Sequence, residues 1–171
     1  MGAIVGPSNG AVIAERQEHG WEDALRAAAS ARTAQPSWAA SPVSARAEVI
    51  RRLGGWVVEH ADELARLISD CTGKPRVDAL STEILPAAIM CDYYARNARR
   101  FLRPHRLRRS SLLFANKRST LFREPLGTVG IISPWNYPLG IPLHEVITGL
   151  LCGNAILLKV ATQVQPVGDA I

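Results

Sequence analysis

The chain has 171 residues, of which 47% are apolar and 20% are charged, with a net charge of +5. This composition excludes an intrinsically disordered chain, which would be poorer in apolar residues. The longest apolar runs, such as Val146 to Cys152, fall far short of the roughly 20 residues that a membrane-spanning helix needs. A globular domain without a membrane span is therefore expected.

The N-terminus and the cysteines indicate the compartment. Residues 1–10 contain neither the basic residues nor the long hydrophobic core of a secretory signal, so a cytoplasmic location is expected. Cys71, Cys91 and Cys152 lack the paired spacing and the neighbouring histidines of a zinc site, so no metal site is expected. Each cysteine is expected to be a small buried hydrophobic residue.

The first segment and the first helix come next in chain order. Glycine and proline punctuate residues 1–20, which are predicted to form a loosely ordered N-terminal arm preceding a second unit, residues 21–171. An alanine-rich run predicts a helix from Trp21 to Arg32, and Pro36 is expected to end it.

Further helices are predicted up to residue 103. One starts at Pro42, with Gly54-Gly55 as its weak point. The next is expected to end at Thr72, because Gly73 suits a left-handed C-cap. A longer helix is expected from Asp78 to Phe101, with a kink at Pro86.

Arginines crowd around the end of this long helix. They lack the interleaved aromatic residues or binding motif expected of a nucleic-acid or membrane-surface contact, so neither partner is expected. A solvated helix end, with some arginines facing carboxylates of a partner subunit or of missing sequence, is the preferred interpretation. The cluster comprises Arg96, Arg99, Arg100, Arg103, Arg106, Arg108 and Arg109, with His105.

The pattern changes after Pro104. Residues 111–123 alternate between apolar and polar side chains, which predicts an exposed β arm or hairpin. Residues 128–160 then predict a βαβ unit, because two continuous apolar runs flank a helical segment, and the first run suits a strand covered on both faces. The fold class is therefore α/β, with N-terminal helices, a β arm and the first βαβ unit of an incomplete Rossmann-like cofactor-binding domain.

Two polar side chains lie just beyond the predicted strand ends, where ligands bind in doubly wound sheets. Asn136 stands between Pro134 and Pro138, which restrict its backbone, and its amide can donate hydrogen bonds without carrying charge. Lys159 follows the second strand. From these residues alone, an asparagine that satisfies backbone groups in a turn and a solvated lysine remain open alternatives.

The Pro134-Trp135-Asn136 motif, with Gly153-Asn154 and Lys159 at this spacing, resembles the aldehyde dehydrogenase superfamily. Two weaker similarities are Gly73-Lys74-Pro75 and Tyr93-Tyr94-Ala95. The resemblance implies oxidation of an aldehyde to a carboxylic acid with NADP or NAD as cofactor. It also implies that this chain is an N-terminal fragment, since the family's nucleophilic cysteine and general-base glutamate lie downstream of the matched region. The chain is therefore expected to be inactive alone.

The resemblance also implies roles for individual residues. Asn136 would donate to the oxyanion, and Lys159 would bind the adenosine ribose. The cofactor groove would be lined by Ile132, Ser133, Pro134 and Trp135. The substrate entrance would be shaped by Tyr137, Ile141 and His144. His144 alone could suggest a general base, but it has no acidic partner in the sequence pattern, so a pocket wall is preferred.

Thr162 departs from the family pattern. NAD-preferring relatives commonly carry a glutamate there, which would repel a 2′-phosphate, so NADP is expected to be tolerated or preferred. The alternative is that Thr162 caps the helix near Pro166. A homo-oligomer or a complementing subunit is the expected protein partner. Two other functions stay open: a non-catalytic interaction module that pairs with an aldehyde dehydrogenase subunit, and a small autonomous nucleotide-binding protein.

Overall fold

The computed structural model describes residues 2–16, 18–108, 111, 113 and 115–171. The helices and strands, in chain order, are β1 (Gly2–Val5), β2 (Val12–Arg16), α1 (Trp21–Ala40), α2 (Val43–Glu59), α3 (Ala61–Thr72), α4 (Arg76–Ala79), a π-helical turn (Leu80–Ile84), α5 (Leu85–Leu102), β3 (His105–Arg106), β4 (Thr120–Leu121), β5 (Thr128–Ile132), α6 (Gly140–Leu151), β6 (Ala155–Lys159), a 3₁₀ turn (Thr162–Val164) and α7 (Gln165–Asp169).

The hydrophobic core lies between the helices. Helix α2 packs along α5, and α6 packs against both. Fully buried side chains of all these helices meet here, including Ile50, Val57, Cys91, Leu143 and Ile147. None of the helices in the described part of the chain is long and apolar enough to span a membrane.

Strands β5 and β6 pair in parallel, and α6 connects them, so the predicted βαβ unit is confirmed. The expectation that the first strand is covered on both faces was wrong, because Ile132 is 83% exposed. Within the described residues, β5 has a single partner strand, and its other edge is not paired. The mixed α/β class matches the prediction.

Helix α1 is longer than predicted. It passes through Pro36 and ends at Ala40 instead of stopping before the proline. Tertiary hydrogen bonds hold the segment beyond Arg32: the side-chain amide of Gln35 donates to the carbonyl of Gly153 at 2.9 Å, and the indole of Trp38 donates to the carbonyl of Leu150 at 2.8 Å. These contacts offset the backbone hydrogen bond that proline removes.

The next two helices match the prediction. Helix α2 begins after Pro42 and continues through Gly54, and α3 ends at Thr72, where Gly73 adopts φ +74° as the C-cap. The predicted long helix is divided by the π-helical turn just before Pro86. Proline cannot donate to the carbonyl four residues earlier and clashes with it, so the widened turn accommodates the ring.

The N-terminal residues are more ordered than a loose arm. Strands β1 and β2 form an antiparallel hairpin, and Ile4 is buried. The turn between them contains Gly10 at φ +68°, a conformation that glycine adopts readily. The division of the chain at residue 20 stays a prediction.

The predicted β arm differs from the structure in its pairing. Strand β4 lies inside the predicted second strand, but it pairs with His105–Arg106. Residues 112 and 114 of the predicted first strand lie outside the described residues.

A buried arginine ties α1 and α2 to the end of α6. Arg46 donates from Nε to the carbonyl of Leu151 at 3.0 Å and from Nη1 to the carbonyl of Ala39 at 3.1 Å. Burial lowers the pKa of Arg46, although the carbonyl groups at a helix C-terminus favour a positive charge. The connection between α6 and β6 is thereby fixed against the N-terminal helices.

Candidate functional site

The carboxyl ends of β5 and β6 lie side by side at one edge of the parallel sheet. Ile132 is in register with Lys159, and the amide of Ser133 donates to the carbonyl of Lys159 at 2.9 Å. The turn that carries Asn136 therefore leaves the sheet next to the residue that ends β6. This edge is where a doubly wound sheet binds its ligand.

The residues predicted to line the cofactor groove differ in exposure. Ile132, Pro134 and Trp135 are exposed at this edge, so their surfaces are free to contact a ligand. Ser133 is buried instead, and its hydroxyl lies 3.5 Å from the carbonyl of Pro134. The Ser133 side chain therefore offers little exposed surface to a ligand.

Two side chains from the helical part of the chain hold the Asn136 turn from behind. Glu83 is 0% exposed and accepts hydrogen bonds from the amides of Leu139 at 2.9 Å and Gly140 at 3.2 Å. Its other oxygen lies 2.6 Å from Nζ of Lys74. The same ammonium donates to the carbonyl of Asn136 at 3.2 Å.

The ammonium of Lys74 also lies 4.1 Å from the ring centroid of Tyr137, within cation–π range. We call Lys74 and Glu83 the turn clamp. It contacts the backbone on both sides of Tyr137-Pro138, while the Asn136 residue as a whole is exposed. The first amides of a helix have no intrahelical acceptor, so Glu83 also supplies the start of α6 with the acceptor and the negative charge it favours.

Lys159 and Thr162 share a second part of the edge. Both line an open cleft of about 460 Å³, together with Arg16, Glu18 and His19 from the end of the N-terminal hairpin and Asp169 from α7. Cationic and anionic groups are both present. The cleft therefore offers both hydrogen-bond donors and acceptors to a polar ligand.

The residues predicted at the substrate entrance follow Asn136 along α6. Tyr137 is exposed, whereas Ile141 and His144 are half-buried. Nε2 of His144 lies 3.1 Å from the hydroxyl of Tyr94, and the two rings are 5.5 Å apart. A tyrosine hydroxyl is a hydrogen-bond partner but not an acidic one, so this arrangement favours a wall residue over a general base.

Gly153 and Asn154 lie at the opposite end of α6. Asn154 is 5% exposed, and its carbonyl oxygen accepts from the amides of Leu126 at 2.7 Å and Gly127 at 3.1 Å. Its NH₂ group donates to the carbonyl of Gly149 at 3.1 Å. Asn154 thus joins the start of β5 to the end of α6, and its role is structural.

The cysteines differ from one another. Cys71 and Cys91 are buried as predicted, and burial raises the pKa of each thiol to about 11. The prediction was wrong for Cys152, which is exposed at the end of α6. The 12 residues of α6 separate it from the Asn136 turn by roughly 18 Å of helix.

Sequence reasoning missed the turn clamp and Tyr94 as contributors to the site. The Gly73-Lys74-Pro75 similarity does not by itself indicate a role for Lys74. Glu83 could have been found as the acidic residue beside Ile84 and Leu80 on the apolar side of a helix, since a buried carboxylate needs a partner. In the described residues, no group of three potential metal ligands is close enough to hold an ion.

Comparison with known proteins decides the family. The model of the aldehyde dehydrogenase family matches residues 2–171. The chain belongs to the aldehyde dehydrogenase family. It is 39% identical over 142 residues to a protein of Mycobacterium ulcerans named as a putative succinate-semialdehyde dehydrogenase [NADP(+)] 2, and the match covers 83% of this chain and 27% of that one.

Solved structures of aldehyde dehydrogenases and related enzymes share the fold. An NADP-dependent enzyme of E. coli superposes with a TM-score of 0.87 at 27% identity, over 97% of this chain and 34% of that chain. An NAD-dependent benzaldehyde dehydrogenase of Corynebacterium glutamicum gives 0.85 at 28% identity, over 98% of this chain and 35% of that chain. The chain thus spans about a quarter to a third of the length of the relatives it matches.

Proposed function

We propose that this chain supplies the oxyanion-stabilising asparagine and part of the cofactor site for NAD(P)-dependent oxidation of an aldehyde. The observation that carries the proposal is the common edge formed by β5 and β6. Asn136 follows one strand and Lys159 ends the other, and Ile132 and Lys159 are in register. Family membership supports the reaction class, and the relatives' names support NADP or NAD as cofactor.

Asn136 is the residue proposed to act on the reacting atoms. When a thiolate adds to an aldehyde carbon, the carbonyl oxygen becomes an oxyanion, and the Asn136 amide would donate a hydrogen bond to it. A fixed donor needs no reorganisation as the charge develops, and losing one such donor typically lowers the rate about 10²- to 10³-fold. The turn clamp supports this role because it fixes the backbone on which Asn136 stands.

Lys159 and Thr162 are proposed to hold the adenosine ribose, with Ile132, Pro134 and Trp135 along the groove and Ser133 behind it. The exposed ammonium and the polar cleft fit a hydroxylated, phosphorylated group. Thr162 brings no negative charge against a 2′-phosphate and can donate a hydrogen bond to it, so we infer that NADP is accepted. The bound cofactor would accept the hydride of the aldehyde.

The aldehyde would enter past Tyr137, Ile141 and His144. These residues define one wall, in which the hydrogen bond between His144 and Tyr94 fixes the orientation of the imidazole. We assign His144 to that wall and not to proton transfer.

The nucleophile is proposed to come from outside residues 1–171. Cys71 and Cys91 are buried, and their raised pKa values keep both thiols protonated near neutral pH. A protonated thiol is a much poorer nucleophile than a thiolate. Cys152 is separated from Asn136 by the length of α6. We therefore expect the 171-residue chain to show no aldehyde oxidation by itself.

A second candidate function is that of an interaction module that pairs with an aldehyde dehydrogenase subunit. It is favoured by a stripe of exposed apolar side chains at four-residue spacing on α5, namely Leu85, Ile89 and Tyr93. Analytical ultracentrifugation of the chain with a purified full-length aldehyde dehydrogenase subunit would reveal a hetero-oligomer. Independent sedimentation of the two proteins would count against pairing.

The cofactor proposal is tested by titrating with NADP and NAD the active enzyme that contains residues 1–171, either within a longer polypeptide or together with a complementing subunit. The expected result is a Kd for NADP no weaker than that for NAD, and Thr162→Glu should weaken NADP binding about tenfold or more while leaving NAD binding nearly unchanged. Gln163→Glu is the matched control, because it adds the same charge at an exposed neighbour that does not line the cleft. A preference of at least tenfold for NAD in the unmodified protein, about 1.4 kcal/mol, would overturn the NADP inference.

A further inference from the structure

The backbone of the Asn136 turn is held by an ion pair from another part of the chain. Lys74 precedes α4, and Glu83 lies in the π-helical turn, so the pair is local in sequence to the helices and distant from residue 136. Glu83 is fully buried, and the side chain of Lys74 is 17% exposed. Such a pair persists only where good geometry and further hydrogen bonds compensate for desolvation.

Every polar atom of the Glu83 carboxylate is used. One oxygen accepts from Lys74, and the other accepts from two successive backbone amides at the start of α6. These bonds fix residues 139 and 140 relative to the helical core. The C-terminal side of the turn therefore cannot shift without depriving a buried carboxylate of its hydrogen-bond donors.

Lys74 extends the same restraint to the other side of the turn. Its ammonium reaches the carbonyl of Asn136 at 3.2 Å and the face of Tyr137 at 4.1 Å. The bond is to the main chain of Asn136, so the side-chain amide remains available to donate elsewhere. The ion pair thus sets the position of the backbone from which the amide projects.

We propose that Lys74 and Glu83 are positioning residues that hold the Asn136 amide at the oxyanion. This inference rests on the proposed function of Asn136. Neither residue contacts the reacting atoms; both act through the turn. A misplacement of about 1 Å in a catalytic geometry can lower the rate about 10²-fold, so loss of the clamp should be visible in kcat.

The test uses the double variant Lys74→Met/Glu83→Gln in the active enzyme that contains residues 1–171. Glutamine retains a carbonyl oxygen for the amides of Leu139 and Gly140, whereas methionine removes the ammonium from the carbonyl of Asn136 and the ring of Tyr137. The variant therefore breaks the ion pair and the Lys74 side of the clamp without leaving a buried charge. The expected result is a kcat lower by about 10- to 100-fold. The Kd for NADP should change less than about threefold and the melting temperature by only a few degrees, because the start of α6 stays capped.

Two comparisons separate positioning from general stability. The control Glu48→Gln/Arg51→Met removes an exposed ion pair from α2 and should leave kcat unchanged. Asn136→Ala should lower kcat by a smaller factor in the clamp variant than in the unmodified protein, because the amide of the clamp variant is already displaced. A folded clamp variant with unchanged kcat, or with fully additive losses, would overturn the positioning role.

Failure of the underlying function gives a different result. If Asn136→Ala alone leaves kcat unchanged, the oxyanion role falls and the positioning role falls with it. If the clamp variant does not fold, amide hydrogen exchange in the unmodified protein tests the turn clamp instead. The first amides of a helix ordinarily exchange fast, so the clamp predicts marked protection at Leu139 and Gly140, and exchange at unprotected rates would overturn it.

Discussion

Replacement of Asn154 by alanine tests whether the Gly153-Asn154 motif is structural. The change removes three hydrogen bonds from a side chain that is 5% exposed, two from the amides of Leu126 and Gly127 and one to the carbonyl of Gly149. At about 1 kcal/mol net for each bond, the loss is about 3 kcal/mol. The amides of Leu126 and Gly127 would also lose their acceptor, so this value is the minimum expected loss in the free energy of unfolding.

Urea unfolding followed by circular dichroism measures this loss, with the slope of the transition expected to stay unchanged. Asn97→Ala is the matched control, because among the described residues the side-chain amide of Asn97 bonds only to the carbonyl of Tyr93 in its own helix. That variant should change the free energy of unfolding by less than about 1 kcal/mol. Equal effects of the two substitutions would refute the structural assignment of Asn154.

Three further predictions follow from packing and from thiol burial. Gly54→Ala should lower the free energy of unfolding by about 1–3 kcal/mol, because its Cβ would lie 2.8 Å from Cβ of Cys91. Gly55→Ala has open space around the new Cβ and should raise the free energy of unfolding by up to about 1 kcal/mol. If urea unfolding showed Gly54→Ala to be the more stable of the two variants, this packing would be contradicted. Burial raises the pKa of Cys91 from 9.0 to about 11, so the folded state favours the protonated thiol. The stability that this thiol contributes is complete below pH 9 and is lost as the pH rises towards 11. The free energy of unfolding should therefore fall less steeply with pH across that window in Cys91→Ala than in the unmodified protein. Identical pH profiles of the two proteins would refute the raised pKa. A thiol reagent at pH 8 should label Cys152 quickly and Cys71 and Cys91 only slowly; equal rates would contradict their burial.

Local signals predicted the parts of the fold that local interactions determine. The end of α3 at Gly73 follows from the left-handed conformation that glycine adopts readily. Strands β5 and β6 follow from two short, continuous apolar runs in the sequence. The positions of Asn136 and Lys159 at strand ends follow directly from these two strands.

Long-range interactions account for what the sequence did not predict. Helix α1 continues past Pro36 because Gln35 and Trp38 bond to carbonyls more than a hundred residues away. The turn clamp depends on a lysine and a glutamate meeting a turn some sixty residues later. Sequence patterns within a single helix or strand do not reveal contacts between residues so far apart in the chain.

Steady-state kinetics of Asn136→Ala in the active enzyme that contains residues 1–171 tests the central claim most directly. NADPH formation from an aldehyde would be followed by absorbance, and the NADP Kd would be measured separately. The proposed oxyanion role predicts a kcat lower by about 10²- to 10³-fold with a Kd for NADP that is nearly unchanged. A variant that keeps its kcat, or that loses activity only through weaker NADP binding, would contradict it.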